Sequence, residues 1–315
     1  MTNSVDSSRI RGVLVPVVTP FDRELRPDPK RFVRQCRWLL DQDVGLAAFG
    51  TNSEANSMAL AEKIALLDAP VEAGLPTGRM MPGTGCCALT ESVELTRHAV
   101  RLGCAGVLML PPFYYKGISD EGLFRSYSEI IQRVGDTRLR IYLYHIPPVS
   151  QVPISLPLIE CLLKAYPGAI AGVKDSSGNW DNTRAMLEQF QPHGFDVFAG
   201  SEAFLLATLR GGGAGCISAT ANVNPGPIAR LARTWRQPDA DDQQRALCAL
   251  RDIFQKFPMI PALKAAVAEY AGDPDWAWVR PPLVELDDVQ RGALLSALRA
   301  AGFAMPGLRS SPVHP

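Results

Sequence analysis

The 315-residue chain reads as an α/β protein, a (β/α)8 or TIM barrel with a C-terminal helical extension, and three observations predict this. Short apolar, often β-branched runs alternate with segments of helical spacing, which implies a parallel sheet covered by helices. Eight such runs fall within about 220 residues, the usual size of a barrel of this kind. The first βα turn lacks the glycine fingerprint of a dinucleotide-binding sheet, which disfavours the doubly wound alternative.

The eight candidate strands are residues 13–19, 44–50, 79–85, 106–110, 140–146, 169–174, 196–200 and 213–218. They are near-continuous apolar runs, as strands buried on both faces must be. Crossover helices are expected at 29–41, 60–73, 90–102, 120–133, 156–165, 180–190 and 202–210. Residues 1–223 thus form the barrel. Residues 224–304 hold no convincing strand but at least three helical patterns, at 227–235, 241–255 and 287–301, and make the helical domain. The tail from Met305 is expected to be poorly ordered. Gly83-x-Gly85-x-x-Ala88 has no acidic residue about 20 positions on to hold a ribose, so it reads as a tight βα turn. The glycines from Gly211 to Gly215 lack a following Lys-Ser/Thr and fit a helix end entering a strand.

Composition narrows the function. Lys plus Arg and Asp plus Glu both number 32, so no net field draws the chain to nucleic acid or an anionic membrane. The uncharged stretch 141–159 carries four prolines and cannot be a membrane helix. The polar first eleven residues lack the apolar run of a signal peptide, so a cytoplasmic protein is expected. Seven scattered cysteines without a C-x-x-C pair argue against disulfides and zinc, and His98, His193 and His314 form no cluster for a metal.

Barrel active sites lie at the C-terminal ends of the strands. Of the seven lysines only Lys174 ends a buried strand; Lys264 and four others fall in helical patterns and Lys116 in a loop. Apolar walls disfavour a charged amine, and a neutral amine attacks a carbonyl to form an imine. Gly172, on the same side of the strand, would leave space for a small substrate. The competing reading is a solvated lysine with Asp175 as ion-pair partner or as cap of the next helix. Tyr144 ends the neighbouring strand, where a phenol can relay protons or simply fill the barrel mouth. The turn from Gly50 through Thr51 and Asn52 offers a nest for a carboxylate, or alternatively caps the next helix. His145 is a packed strand residue or a substrate contact.

At these residues the sequence resembles the dihydrodipicolinate synthase / N-acetylneuraminate lyase family across nearly its whole length. Gly50-Thr51-Asn52-Ser53-Glu54 is similar to that family's carboxylate motif, Tyr144-His145-Ile146-Pro147 to its Tyr-Asn-x-Pro, Gly172-Val173-Lys174-Asp175 to its Schiff-base motif, and Gly215-Cys216-Ile217-Ser218 to its strand-eight segment. The resemblance implies a lyase, aldolase or dehydratase that forms a covalent imine between Lys174 and pyruvate or another 2-oxo acid, with no cofactor and no metal. It implies Tyr144 as proton relay and Tyr114, in the aromatic loop 112–115, as its extension, conceivably across a subunit interface. It implies Gly50, Thr51, Asn52, His145, Gly200 and Ile217 as substrate-binding residues, and a homo-oligomer, dimer or tetramer. Where the synthase branch has an arginine for its second substrate, this chain has Val149, which cannot make a bidentate carboxylate contact and looks more like the aldolase and lyase branches. The alternatives are the synthase joining pyruvate to aspartate semialdehyde, a metal-dependent aldolase, and a 2-oxo-acid-binding protein without turnover.

Overall fold

A computed structural model describes residues 9–309. The chain divides into two compact units, Met1–Gly12 with Thr77–Ile217 and Val13–Pro76 with Ser218–Pro315. Packing thus joins segments that are distant in sequence.

Seven strands form among the described residues. In one unit β1 (Gly12–Val15) pairs in parallel with β2 (Gly45–Leu46), Leu14 opposite Gly45 and Val15 opposite Leu46. In the other, β3 (Val107–Met109), β4 (Ile141–His145), β5 (Ile170–Asp175), β6 (Asp196–Ala199) and β7 (Gly215–Ile217) form a continuous parallel ladder in chain order. All six residues of β5 are buried. The expected strand at 79–85 survives only as a parallel bridge of Gly83 to Leu108, with Thr84 N–H donating to Leu108 O and Leu108 N–H to Pro82 O, both at 2.9 Å. Pro82 supplies no N–H to a ladder, and a side chain at Gly85 would lie 2.2 Å from Leu110 O.

The crossover helices follow their sequence signals closely. Helix Pro29–Asp41 starts with proline at its first turn and Asp28 accepting from Arg31 N–H. Helix Asp120–Val134 is capped by Ser119 and stops at Gly135, whose φ of +62° suits glycine. Helices Leu156–Ala165 and Trp180–Phe190 match the expected limits, whereas 202–210 splits into a 3-10 turn, Glu202–Phe204, and helix Leu205–Arg210. The C-terminal segment holds helices Pro225–Thr234, Ala240–Gln255, Met259–Ala271 and Asp288–Ala300. Met259–Ala271 is buried continuously from Pro261 to Val267, so it has no polar stripe for periodicity to expose. Met305–Arg309 is packed rather than loose: Met305 and Leu308 are buried, and Trp38 Nε1 donates to Pro306 O at 2.9 Å. The rest of the predicted tail, including His314, lies outside the described residues. Among the described residues no helix is long and apolar enough to cross a membrane.

The vacancy expected beside Gly172 is filled. A Cβ there would stand 2.3 Å from Asp196 O and 2.7 Å from the ring of Tyr142, its register partner. That ring packs edge-on against Phe198 at 5.8 Å, and its hydroxyl donates to Asp196 Oδ2 at 3.3 Å. Arg11 and Arg9 reach the same carboxylate at 3.1 and 3.5 Å. Glycine is needed here for the close approach of Tyr142 and β6, and the substrate is left no room on that side. Gly172→Ala is accordingly expected to destabilise the protein by about 1–3 kcal/mol in urea unfolding. Gly168→Ala, where a Cβ meets nothing within 4 Å, should stay within about 0.5 kcal/mol of the parent.

Candidate active site

Parallel pairing of β4 with β5 sets Tyr144 opposite Lys174, and pairing of β5 with β6 sets Lys174 opposite Phe198. Strand alternation then turns both Tyr144 and Lys174 to the side already occupied by Tyr142. Lys174 is 2% exposed and its Nζ stands 4.2 Å from the centre of the Tyr144 ring, over its face. Tyr142, opposite Gly172 and so one alternation back toward the strand start, lies beneath the amine and packs edge-on against Phe198.

Asp175 is a tether, not the partner of Lys174. Its Oδ1 accepts from Ser177 N–H at 2.9 Å, and its Oδ2 accepts from Asn182 Nδ2 at 3.0 Å and Thr183 Oγ1 at 2.7 Å. The carboxylate fastens the end of β5 to helix Trp180–Phe190, and among the described residues Lys174 makes no ion pair. The solvated-lysine reading therefore loses both its solvent and its partner.

Gly200 follows β6 and donates its N–H to Asp175 O at 2.7 Å. A Cβ on it would collide with Ser176, so glycine is what lets the ends of β5 and β6 approach. Ile217 ends β7 fully buried. Buried Glu202, which sequence reasoning passed over, follows Gly200 by two residues. His145 falls on the opposite side of β4 from Tyr144. Its Nδ1 accepts from Ile154 N–H at 3.0 Å, which puts the neutral ring's proton on Nε2. The structure thus gives His145 to the packing of segment 147–154 and does not bring it to the side of Lys174. Tyr114 also stands apart, 76% exposed and edge-on to Tyr115 at 5.4 Å. Its loop is held by Lys116 Nζ donating to Ser150 O at 2.8 Å.

In the second unit the turn at Gly50 folds on itself. Gly50 N–H donates to Ser53 Oγ at 3.2 Å and Ser53 N–H to Gly50 O at 3.1 Å, giving a 3-10 turn over Thr51–Ser53. Thr19 Oγ1 donates to Ser53 O at 2.7 Å. The turn does not cap the next helix, which starts at Leu60 after Ala59, whose N–H is taken by Glu62. Thr51 and Asn52 remain half-buried. Behind them Glu54 pairs with Lys264 at 2.8 Å. Lys264 is buried as well, its pKa pulled down to about 8 by burial against the opposing pull of Glu54. A single cation inside Ala262-Leu263-Lys264-Ala265-Ala266-Val267 was the sequence signal for it. Among the described residues no three His, Cys, Asp or Glu side chains cluster closely enough to hold a metal.

The sequence model of the dihydrodipicolinate synthetase family matches residues 9–301. An uncharacterized DapA-like lyase of Chloroflexus aurantiacus is 33% identical over 294 residues, 92% of this chain and 95% of that protein. Dihydrodipicolinate synthase from Agrobacterium tumefaciens superposes with a TM-score of 0.85 at 30% identity, covering 92% of this chain and 99% of its own. YagE of E. coli K12, a family protein solved in complex with pyruvate, gives 0.84 at 25% identity, covering 93% and 99%. These likenesses, with the alternation of strands and helices, make the fold a (β/α)8 barrel with a helical C-terminal extension.

Burial pushes the His145 pKa below its ordinary 6.5, with Asp175 opposing. The neutral ring's contribution to stability is fully present above about pH 6.5 and is lost as pH falls through the folded value. His145→Asn, which keeps an acceptor near Ile154 N–H, should flatten the acid side of the stability curve below about pH 6.5 in urea titrations.

Proposed function

Because this chain belongs to the dihydrodipicolinate synthetase family, and is thereby an enzyme of the lyase and aldolase kind, we propose that it acts on pyruvate or a longer 2-oxo acid through an imine on Lys174. The observation that carries this reading is an amine buried without an ion pair, 4.2 Å from a tyrosine ring. The free amine of Lys174 adds to the C2 carbonyl to give a carbinolamine. Tyr144 supplies and removes the protons as the hydroxyl leaves as water and the C=N bond forms. The protonated imine then draws electrons from the bond at C3. Cleavage of C3–C4 releases an aldehyde as the C4 hydroxyl gives its proton to Tyr144 and leaves an enamine, which takes a proton at C3 to become the imine again; in reverse the enamine adds to an aldehyde, and loss of a C4 hydroxyl as water is dehydration. Water returns to release the product and the amine.

The family resemblance assigns the 2-oxo acid's carboxylate to Thr51 and Asn52, and the outer end of the proton relay to Tyr114 of a neighbouring copy in a homo-oligomer. The exposure of Tyr114 supports a role that needs a second chain.

Lyase or aldolase chemistry is favoured over synthase chemistry by Val149, which lies on the short helix Pro147–Ser150 at 60% exposure and offers an incoming carboxylate no donor. The synthase reading rests on the 30% identity with the Agrobacterium enzyme, and rapid turnover of aspartate semialdehyde would favour it.

Borohydride added with pyruvate should leave a reduced adduct on Lys174, located by peptide mass spectrometry, and none on Lys264. Lys174→Ala should lose the adduct and all turnover. Tyr144→Phe should still be trapped but react about 10²- to 10⁴-fold more slowly. Labelling at Lys264 instead, or a wild-type protein left unmodified, ends the proposal.

A further inference from the structure

The turn bearing Thr51 and Asn52 is held from behind by a buried charge cluster that the imine chemistry does not use. Lys264 and Glu54 are fully buried and 2.8 Å apart. The second carboxylate oxygen of Glu54 accepts from Arg280 N–H at 2.9 Å. The Arg280 guanidinium donates to Leu25 O and Ser57 O, both at 2.7 Å, and to the Glu62 carboxylate. The ring of Phe21 takes Lys264 Nζ at 4.5 Å and the Arg280 guanidinium at 4.7 Å.

Glu54 has φ +56° and ψ 32°, a left-handed conformation that a residue with a side chain adopts only where its surroundings impose it. It is the hinge between two 3-10 turns, Thr51–Ser53 and Ala55–Ser57. Two charges removed from water are costly, and an apolar pair of similar volume would often serve stability as well. What an apolar pair would not supply is a directional hold on both oxygens of Glu54.

We propose that Lys264 and Glu54 are positioning residues for the carboxylate of the 2-oxo acid: their ion pair fixes the hinge at residue 54 and so aims Thr51 and Asn52. The inference rests on the assignment of those two residues as carboxylate ligands. It predicts a defect specific to substrates that carry a carboxylate.

The test compares borohydride trapping at Lys174 by pyruvate and by hydroxyacetone, an uncharged ketone, in the full-length protein. Lys264→Met should raise the half-saturating pyruvate concentration roughly tenfold while leaving trapping at saturation, and trapping of hydroxyacetone, unchanged. The double variant Glu54→Gln/Lys264→Met leaves no unpaired buried ion, so it should fold, as judged by circular dichroism, and show the same pyruvate-selective loss. An equal loss for both ketones, or normal pyruvate saturation in the folded double variant, overturns the proposal. A double variant that cannot fold also overturns it, since the pair would then serve the fold and not the turn. Wild-type protein that traps neither ketone would instead sink the imine reading, and normal pyruvate saturation in Thr51→Ala would sink the ligand assignment.

Discussion

The parallel register of β4 on β5 is the constraint on which the proposed chemistry depends. It sets Tyr144 against Lys174 and, one alternation back, Tyr142 against Gly172. Backbone hydrogen bonding fixes such pairings, so a slip of β4 by one residue would turn Tyr142 and Tyr144 to the other face, away from Lys174. Neither the amine nor the phenol is positioned by a flexible loop. Rigid placement of this kind is what converts a weak nucleophile and a weak acid into a working pair. Asp175 completes the arrangement by tying the end of β5 to helix Trp180–Phe190, which leaves Lys174 without a competing carboxylate.

Lys174 and Lys264, two of the three buried lysines, show how one side chain serves opposite ends. Lys264 meets a carboxylate at 2.8 Å, and its charge is part of a fixed network with Glu54, Arg280 and Phe21. Lys174 meets an aromatic face and no carboxylate. An ammonium held by an ion pair is a structural element and a poor nucleophile, because attack requires the lone pair that the proton occupies. Burial alone therefore does not identify a reactive amine. The absence of a committed anionic partner separates Lys174 from Lys264.

Much of this was legible in the sequence, because burial on both faces writes itself into a strand as an uninterrupted apolar run. Lys174 and Tyr144 were found by asking which reactive side chains interrupt such runs at their C-terminal ends. Other features left no periodic trace. Residues 79–85 are as apolar as a strand, but Pro82 and the crowding at Gly85 reduce their pairing to one bridge. Helix Met259–Ala271 is apolar on almost every face, so Lys264 looked like one more helical lysine. Gly172 was read as making space, because a missing side chain says nothing about which neighbour moves in. Here the neighbour is Tyr142. His145 and Tyr144 are adjacent in sequence and lie on opposite sides of β4, a distinction that alternation could have supplied once Tyr144 was assigned inward.

The filled floor bears on which substrates fit. With Tyr142 packed over Gly172 beneath the amine, a 2-oxo acid bound to Lys174 as proposed has no depth in which to extend toward the strand starts. Any atoms beyond C3 must run outward, toward the loops that follow the strands. There the chain offers Val149 after β4, and Gly200, Ser201 and buried Glu202 after β6. The groups proposed to form the imine sit on strands and change little when loops change, whereas the fate of such an imine would be decided by what the loops present to C4 and beyond. An apolar, exposed Val149 removes one way of holding a second carboxylate. On the proposed chemistry, imine formation is a property of the β4–β5 pair, and both substrate choice and the fate of the imine are properties of loop side chains.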